Sequence, residues 1–521
     1  MRGAIAAGHP LTAEAGARVL AEGGNAVDAC IAAGFTSWVA ESPLTGPGAG
    51  GFMLVHRARD GANRLLDFFV AEPGLGRSRR PSAEMEEVDV EFSVESSQVF
   101  HIGAASCAVP GAVAGLEAAH RSFGSLPWRT LLEPAIEHAR AGIELTPVQA
   151  YLHAILDMIL RHKPEGRKVY GRGGSRLVAG DPLVMGDLAM TLEQIADGGA
   201  RAFYRGELGR AIARHVQEEG GRITRADLSE YRVIRRRPVR VSVLGHEFLS
   251  NPPPSSGGIL IGYGLLLLDR LGLGGGPGTA EADARLVEVM REQTRVRDSS
   301  FTGDLHRGGL ARRLFADERV QDAIERIQRR ERGRADETAL VGTTHISVVD
   351  ERGNAASMTA SSGSGSGVIA PGTGVHLNNM LGEYDLNPRG RRSVPGRRLT
   401  SMMAPSLVLR GNRPRLVVGS AGSVRLRGAI LQIVVNVVGH GLPVDEAITR
   451  ARVHLEEPHV HCEGGHDAAE LDRLAALGYD LVRWRRRNLY FGGASGVEFQ
   501  DDGSLAAAGD PRRGGYGLVV E

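Results

Sequence analysis

Gly342-Thr343-Thr344-His345-Ile346-Ser347-Val348-Val349-Asp350 reads as a sheet strand with a hydroxyl nucleophile at its head. Thr344, Ile346 and Val348 alternate with His345, Ser347 and Val349, a period of two rich in β-branched residues. Asp350-Glu351-Arg352-Gly353-Asn354 supplies turn chemistry, and Ala355 to Ser361 reads as the returning strand. A turn centred between Arg352 and Gly353 would set Thr343 opposite Ser362, with Ser361 one position away. Hydroxyls are therefore expected to gather at the open end of this hairpin.

A threonine hydroxyl is a weak nucleophile unless a base lies beside it. An N-terminal threonine carries its own base, because an α-amino group has a reference pKa of roughly 7.7–8.0. Cleavage of the Gly342–Thr343 bond would create that arrangement, and Gly342 tolerates the strained backbone that attack by the Thr343 hydroxyl requires. The charged stretch Asp317 to Thr338 reads as a solvated helix fading into a flexible linker, which would leave the bond accessible.

With 521 residues the chain exceeds one ordinary core, so two halves or one large layered assembly are expected. The balance of 62 Lys+Arg against 61 Asp+Glu argues against a nucleic-acid binder. Cys30, Cys107 and Cys462 are odd in number and far apart, which suggests neither a disulfide framework nor a cysteine metal site. His454, His459, His461 and His466 match no common ligand spacing, so no metal or cofactor is expected. The N-terminal residues show no apolar signal core, and the run Ile259 to Leu268 is too short to span a bilayer. The expectation is a soluble, cytoplasmic protein, unless a leader has been removed.

Along the chain, Thr12 can cap a helix running to Glu22, and Asn25 with Asp28 forms a loose capping box for the next. Pro47-Gly48-Ala49-Gly50-Gly51 leads into the strand Phe52 to His56; with a strand rather than a helix after the glycines, it is no phosphate loop. A tight turn and backbone lying close to a ligand are both open readings of it. Leu66 to Val70 is a short strand, and Leu75 to Val99 reads as acidic, irregular surface. Helical patterns dominate from Trp128 to Arg214, and Pro252-Pro253-Pro254-Ser255-Ser256-Gly257-Gly258 precedes a buried helix, Ile259 to Leu271. Downstream, Gly419-Ser420-Ala421-Gly422-Ser423 is a small-residue turn whose amides could receive an oxyanion.

Taken in order, Glu22-Gly23-Gly24-Asn25-Ala26-Val27-Asp28-Ala29, Gly50-Gly51-Phe52-Met53-Leu54, Val109-Pro110-Gly111, the Pro252–Gly258 motif, Thr343 to Asp350, Leu377-Asn378-Asn379, Leu399-Thr400-Ser401-Met402 and Asp510-Pro511-Arg512 resemble the γ-glutamyltranspeptidase family of N-terminal-nucleophile (Ntn) hydrolases. The resemblance covers nearly the whole chain. It implies an α+β fold, a four-layer αββα sandwich with a helix-rich large part, and autocatalytic cleavage into regions 1–342 and 343–521 that share their sheets. It further implies Thr343 as nucleophile, Ser361 as the hydroxyl that holds its amine, Thr400 and Ser401 as substrate-carboxylate contacts, and the amides of Gly422 and Ser423 as the oxyanion hole.

Some positions depart from the family pattern. Typical glutathione-cleaving members have Asp-Phe-Arg-Glu where this chain has Asp67-Phe68-Phe69-Val70, so Phe69 replaces the arginine that grips the substrate's α-carboxylate. After Asn378-Asn379, Met380 and Glu383 stand where Gln and Asp usually hold the α-amino group, and Gly363 replaces an asparagine. The short link from Tyr384 to Leu399 resembles members without a lid. The expected activity is hydrolysis or transfer of a γ-glutamyl or related amide through an acyl-Thr343 ester, with water or an amine as acceptor. The substrate is expected to be a small-molecule or peptide-like amide, contacted by Phe69, Asn379, Met380, Glu383, Thr400 and Ser401. A glutaryl-type acylase and a non-catalytic binding relative are the alternatives. His345 is read as a satisfied structural histidine.

Overall fold

The hairpin headed by Thr343 lies inside a seven-stranded antiparallel sheet. The computed structural model describes residues 2–76, 83–93, 96–297, 300–329, 342–388, 392–422 and 425–521. In chain order the sheet strands are β1 (Gly3–Ala7), β2 (Gly50–Arg57), β3 (Ala62–Phe68), β4 (Ile234–Arg236), β5 (Val239–Val243), β6 (His246–Ser250), β7 (Thr344–Asp350) and β8 (Ala355–Ser361). They continue with β9 (Ser406–Arg410), β10 (Arg413–Ala421), β11 (Gly493–Phe499), β12 (Leu505–Gly509) and β13 (Tyr516–Val520). One sheet has the order β4-β3-β2-β8-β7-β1-β13 and the other β5-β6-β9-β10-β11-β12. Each therefore takes strands from both sides of the Gly342–Thr343 bond.

Alternation along the strands divides the core into layers. Met53, Val55, Ile346, Val348, Ala356 and Met358 pack against the helices α1 (Pro10–Ala21), α2 (Ala26–Ala40) and α3 (Ala112–Phe123). Their neighbours Phe52, Leu54, Val349 and Ala355 turn the other way and meet Leu407, Leu409, Val417 and Val497 of the second sheet. That sheet's far face, with Phe248, Val408, Leu416 and Val418, is covered by α4 (Gly257–Leu271) and α6 (Arg425–Val434), α5 (Ala280–Arg295) preceding the latter in the chain. The result is the αββα sandwich that the motifs imply.

The Asn25–Asp28 capping box forms. The first helix, however, is capped by His9, whose Nδ1 accepts from the Leu11 amide at 3.1 Å. Pro10 follows the cap, a position suited to its fixed φ, and Thr12 lies inside the helix instead. The register of the central hairpin also differs from expectation by one residue. Thr344 pairs with Ala360 and Val349 with Ala355, which brings Thr343 opposite Ser361 rather than Ser362. The cause is a three-residue loop, Glu351-Arg352-Gly353, closed by the Asp350 amide on the Asn354 carbonyl at 3.0 Å, with Gly353 at φ 78°. The Asp350 carboxylate fixes it by accepting from the Arg352 and Asn354 amides, both at 3.0 Å.

Part of the acidic stretch is ordered where irregular surface was expected: Glu86–Ser93 and Ser96–Ile102 form a hairpin, with alternate residues Val88, Val90 and Phe100 packed on the core. Residues Asp317–Arg329 form a helix that buries Val320, Ala323, Ile324 and Ile327, so it is amphipathic rather than wholly solvated. The expected linker falls at 330–341, outside the described residues. Gly48 forms a parallel bridge with Leu377, and the Asn378 amide group donates to the Gly48 and Ala108 carbonyls at 2.8 and 2.9 Å. The glycine loop is thus a junction between chain segments. Cys30, Cys107 and Cys462 are free and buried. No helix among the described residues is long and apolar enough to cross a membrane.

Candidate active site

Three strand ends meet at one end of the sandwich. The His345 ring packs on the Gly419 backbone, and the Ser357 hydroxyl lies 3.4 Å from the Val418 carbonyl. This alignment brings Thr343, Ser361 and the Ala421-Gly422 end of β10 to the same edge. Thr343 is buried there, 3 % exposed. The Ser361 hydroxyl donates to the Gly342 carbonyl and accepts from the Gly363 amide at 2.8 Å. In the uncut chain, then, Ser361 binds the very carbonyl that the Thr343 hydroxyl must attack to open the bond. The hydrogen bond expected from Ser361 to an amine is for this state replaced by one to that carbonyl.

Beside Thr343 lies a small recess bordered by Phe69, Ser361, Met380, Glu383, Leu386, Ser401, Met402, Met403 and Leu426. Six residues singled out from the sequence, Phe69, Thr343, Ser361, Met380, Glu383 and Ser401, come together around it. Leu386, Met402, Met403 and Leu426 were not among them, since nothing distinguishes an apolar recess residue from an ordinary core one in a sequence. Phe69 is held by its neighbours: its ring stacks on Phe52 with centroids 5.5 Å apart, and its carbonyl accepts from the Tyr231 hydroxyl at 2.7 Å. Asp67, fully buried, accepts from Arg236 Nε at 2.7 Å and Arg398 Nε at 3.0 Å. The first pair ties the end of β3 to β4 and the second ties it to the 398–403 segment. The proline-rich motif braces that segment from behind, with Ser255 Oγ donating to the Met403 carbonyl at 2.7 Å and Ser256 Oγ to the Ser401 carbonyl at 3.0 Å.

Asn379 and Thr400 border the recess only indirectly. Asn379 accepts from the Ser364 amide at 3.0 Å and donates to the Ser364 hydroxyl at 2.7 Å. The Thr400 hydroxyl bonds to the Leu386 carbonyl and, at 3.1 Å, to Asn387 Oδ1, fastening the turn that carries Glu383 and Leu386. Gly422, with φ 123°, follows the C-terminal end of β10 and lies just ahead of α6, whose first turn contributes Leu426 to the recess. The first turn of α6, the positive end of its dipole, thus borders the same recess as Thr343. Ser423, the second expected oxyanion donor, lies outside the described residues.

Glu383 is 3 % exposed and its Oε1 has no hydrogen-bond partner among the described residues. Burial, reinforced by the nearby Asp385, drives its carboxyl well above the usual carboxylate range. The recess therefore offers an acid whose charged form is disfavoured by burial, among apolar walls. Gly363 at φ 72° is also constrained: a Cβ there would lie 2.0 Å from Asn379 Oδ1 and 3.0 Å from Glu383 Oε1.

Two further acid–base groups flank the strand head. The Glu41 carboxyl, not singled out from the sequence, accepts from the Thr344 hydroxyl and from Thr12 Oγ1 at 2.8 Å. Burial pushes it up to about 7, against the opposing pull of those hydroxyls and of Arg513. Its only signal in the sequence was a lone acid closing the apolar run of α2. His345 is pushed down to about 3 by burial and is neutral. Ser347 Oγ donates to the Ser495 carbonyl at 3.1 Å, so it accepts from His345 Nε2–H at 2.9 Å, leaving Nδ1 to accept from Thr359 Oγ1 at 2.7 Å. With both nitrogens engaged, His345 joins the two sheets and is not available as a base.

The chain matches the family model described as Gamma-glutamyltranspeptidase over residues 12–520. It is 32 % identical to the Acylase ACY 1 proenzyme of Pseudomonas sp. (strain SE83), covering 100 % of this chain and 94 % of that one. It is 31 % identical to the Glutathione hydrolase proenzyme of Pseudomonas aeruginosa, covering 100 % and 95 %. Among solved structures, the cephalosporin acylase of Bacillus halodurans shares the fold with a TM-score of 0.84 at 23 % identity, over 100 % of this chain and 96 % of that one. On this evidence the chain belongs to the gamma-glutamyltranspeptidase family of N-terminal-nucleophile hydrolases.

Proposed function

We propose that Thr343 first cleaves its own chain and then acts as the acyl-accepting nucleophile of an amidohydrolase. The observation that carries this reading is the Ser361 hydroxyl on the Gly342 carbonyl beside the buried Thr343. Thr343 Oγ attacks the Gly342 carbonyl carbon, and Ser361 stabilises the oxygen as negative charge develops on it. Collapse of that intermediate moves the acyl group from nitrogen to Oγ, and water hydrolyses the ester. The products are a carboxylate at Gly342 and a free α-amine on Thr343. Ser361, released from the carbonyl, can then hold this amine.

In turnover the amine takes the proton from Thr343 Oγ as it attacks the substrate amide carbon. The Gly422 amide and the start of α6 receive the oxyanion. The proton passes to the departing amine, leaving an acyl-Thr343 ester that water or a second amine resolves. Substrates are γ-glutamyl or related amides. A second reading, an acylase for glutaryl-type chains, is favoured by one observation: the recess presents Phe69, Met380 and a Glu383 whose charged form burial disfavours. Such walls suit an acyl chain with no charged α-amino acid head.

The test has two stages. Thr343→Ala should leave a single uncut chain and no turnover, whereas the parent should yield a fragment beginning at Thr343; cleavage persisting in the variant would place the nucleophile elsewhere. Matched p-nitroanilides of γ-glutamate, glutarate and butyrate then separate the acyl readings. A γ-glutamyl preference of a hundredfold or more over glutaryl would exclude the acylase.

A further inference from the structure

Two buried arginines, Arg425 and Arg513, lie beside the Gly422 turn. Arg513 is 8 % exposed, its Nε has no hydrogen-bond partner, and among the described residues it forms no ion pair. Its side chain lies across bare backbone: a Cβ on Gly493 would sit 2.3 Å from Arg513 Cδ. Its Nη2 reaches to 3.8 Å from where a Cβ on Gly422 would be. Arg425, at the start of α6, is 2 % exposed and stacks 3.8 Å above the Tyr490 ring, and its Nε and Nη1 have no partners among the described residues. Burial lowers Arg513, and repulsion by Arg425 adds to this against the pull of Asp510 and Glu41.

The acids near Arg513 are already engaged. Asp510 accepts from Arg452 Nη2 at 2.7 Å, Arg512 Nη1 at 3.0 Å and the Ala494 amide at 3.1 Å. Glu41 is held by Thr12 and Thr344. The adjacent Arg512 shows what a structural arginine looks like here, paired with both Glu463 and Asp510. A buried charge without a partner is costly and calls for a compensating ion.

Topology places this pair with respect to the acyl recess. Phe69, Met380 and Ser401 lie on the β8-β2-β3 side of Thr343, whereas Arg513 lies between β12 and β13, on the β1-β13 side. Thr343, immediately ahead of β7, lies between the two in strand order. We infer that Arg425 and Arg513 form a carboxylate subsite for the amine part of the substrate, the group expelled in hydrolysis or bound as acceptor in transfer. This rests on the reading of Thr343 as the acylated nucleophile.

The test compares two amides of the same acyl group, one releasing p-nitroaniline and the other 5-amino-2-nitrobenzoate, which differs by a carboxylate. The processed enzyme should prefer the carboxylated amide at least tenfold in kcat/KM, chiefly through KM. Arg513→Gln and Arg425→Gln should each reduce that ratio tenfold, with Arg513→Lys retaining part of it. Equal ratios in the parent and both glutamine variants overturn the proposal; if one variant fails to fold, the other decides. A separate measurement of 5-amino-2-nitrobenzoate binding to the uncut Thr343→Ala chain, with and without Arg513→Gln, does not depend on turnover. Binding that requires Arg513 supports the subsite even if no acyl-Thr343 adduct is found by mass spectrometry, a result that would sink the nucleophile assignment alone. Binding unaffected by Arg513→Gln counts against the subsite.

Discussion

Replacing Glu41 by glutamine should stabilise the protein above neutral pH and do little below pH 5. The carboxyl is 6 % exposed, and burial raises it from an ordinary 4.5 to about 7. A folded-state value above the unfolded one means that the folded chain holds the proton more tightly. Its contribution to stability is therefore complete below about pH 4.5, declines as pH rises to about 7, and is flat beyond. Each pH unit in that window is worth about 1.4 kcal/mol, so by pH 8 the loss is about 3 kcal/mol. Glutamine keeps the shape, accepting from one threonine hydroxyl through Oε1 and donating to the other through Nε2, and it has no charge to bury. With an unfolding entropy of about 2 cal/mol/K per residue, 3 kcal/mol corresponds to about 3 °C in Tm for a chain of this size. Both forms would be melted in a Thr343→Ala background, so that each is one piece, at pH 5 and pH 8. Glu41→Gln should melt within about 1 °C of its parent at pH 5 and about 3 °C above it at pH 8. The same Tm difference at both pH values would refute the argument, because every other titratable group is common to both proteins.

Two more outcomes follow from the geometry. Ser361→Ala removes the donor to the Gly342 carbonyl and should slow appearance of the Thr343 fragment by about 10²–10³, the usual effect of losing one oxyanion donor; Ser361→Thr should recover most of the rate, and unchanged kinetics in the alanine variant would remove Ser361 from the cleavage step. Gly363→Asn restores the residue usual in the family, yet its Cβ would strike Asn379 and disturb the two bonds to Ser364. It should lower Tm by about 2 °C, from about 1 kcal/mol for each bond disturbed, without raising γ-glutamyl turnover; a gain in that turnover would show that Asn379 can move aside.

Local patterns carried much of this protein's architecture. β-Branched alternation located β7 and β8 to within a residue, and small-residue and capping signals located α2. The one-residue error in register arose because Arg352-Gly353 read as a two-residue turn, while the Asp350 side chain collects a third loop residue through contacts that a linear pattern does not record. The acidic hairpin escaped for a similar reason. Its charged positions mask an alternation of only a few core contacts, Val88, Val90 and Phe100. In the site, chemically distinctive residues such as Thr343, Ser361 and Glu383 were legible. Met402, Met403 and Leu426 were not, since their role comes from where three chain segments converge. Arg513 and Arg425 stayed hidden in a chain rich in arginine, because what sets them apart is a missing partner.

The interleaving of the sheets bears on how the cut protein can exist at all. Strands β7 and β8, which follow the cut, lie between β1 and β2, which precede it. Once the bond opens, the two pieces remain joined by ladder hydrogen bonds along both edges of that hairpin, so neither can leave without stripping two strands from a sheet core. The pieces are a heterodimer that never met as free partners. Their mutual recognition is inherited from a single folding event, and mixing separately denatured halves should recover far less activity than refolding the uncut chain.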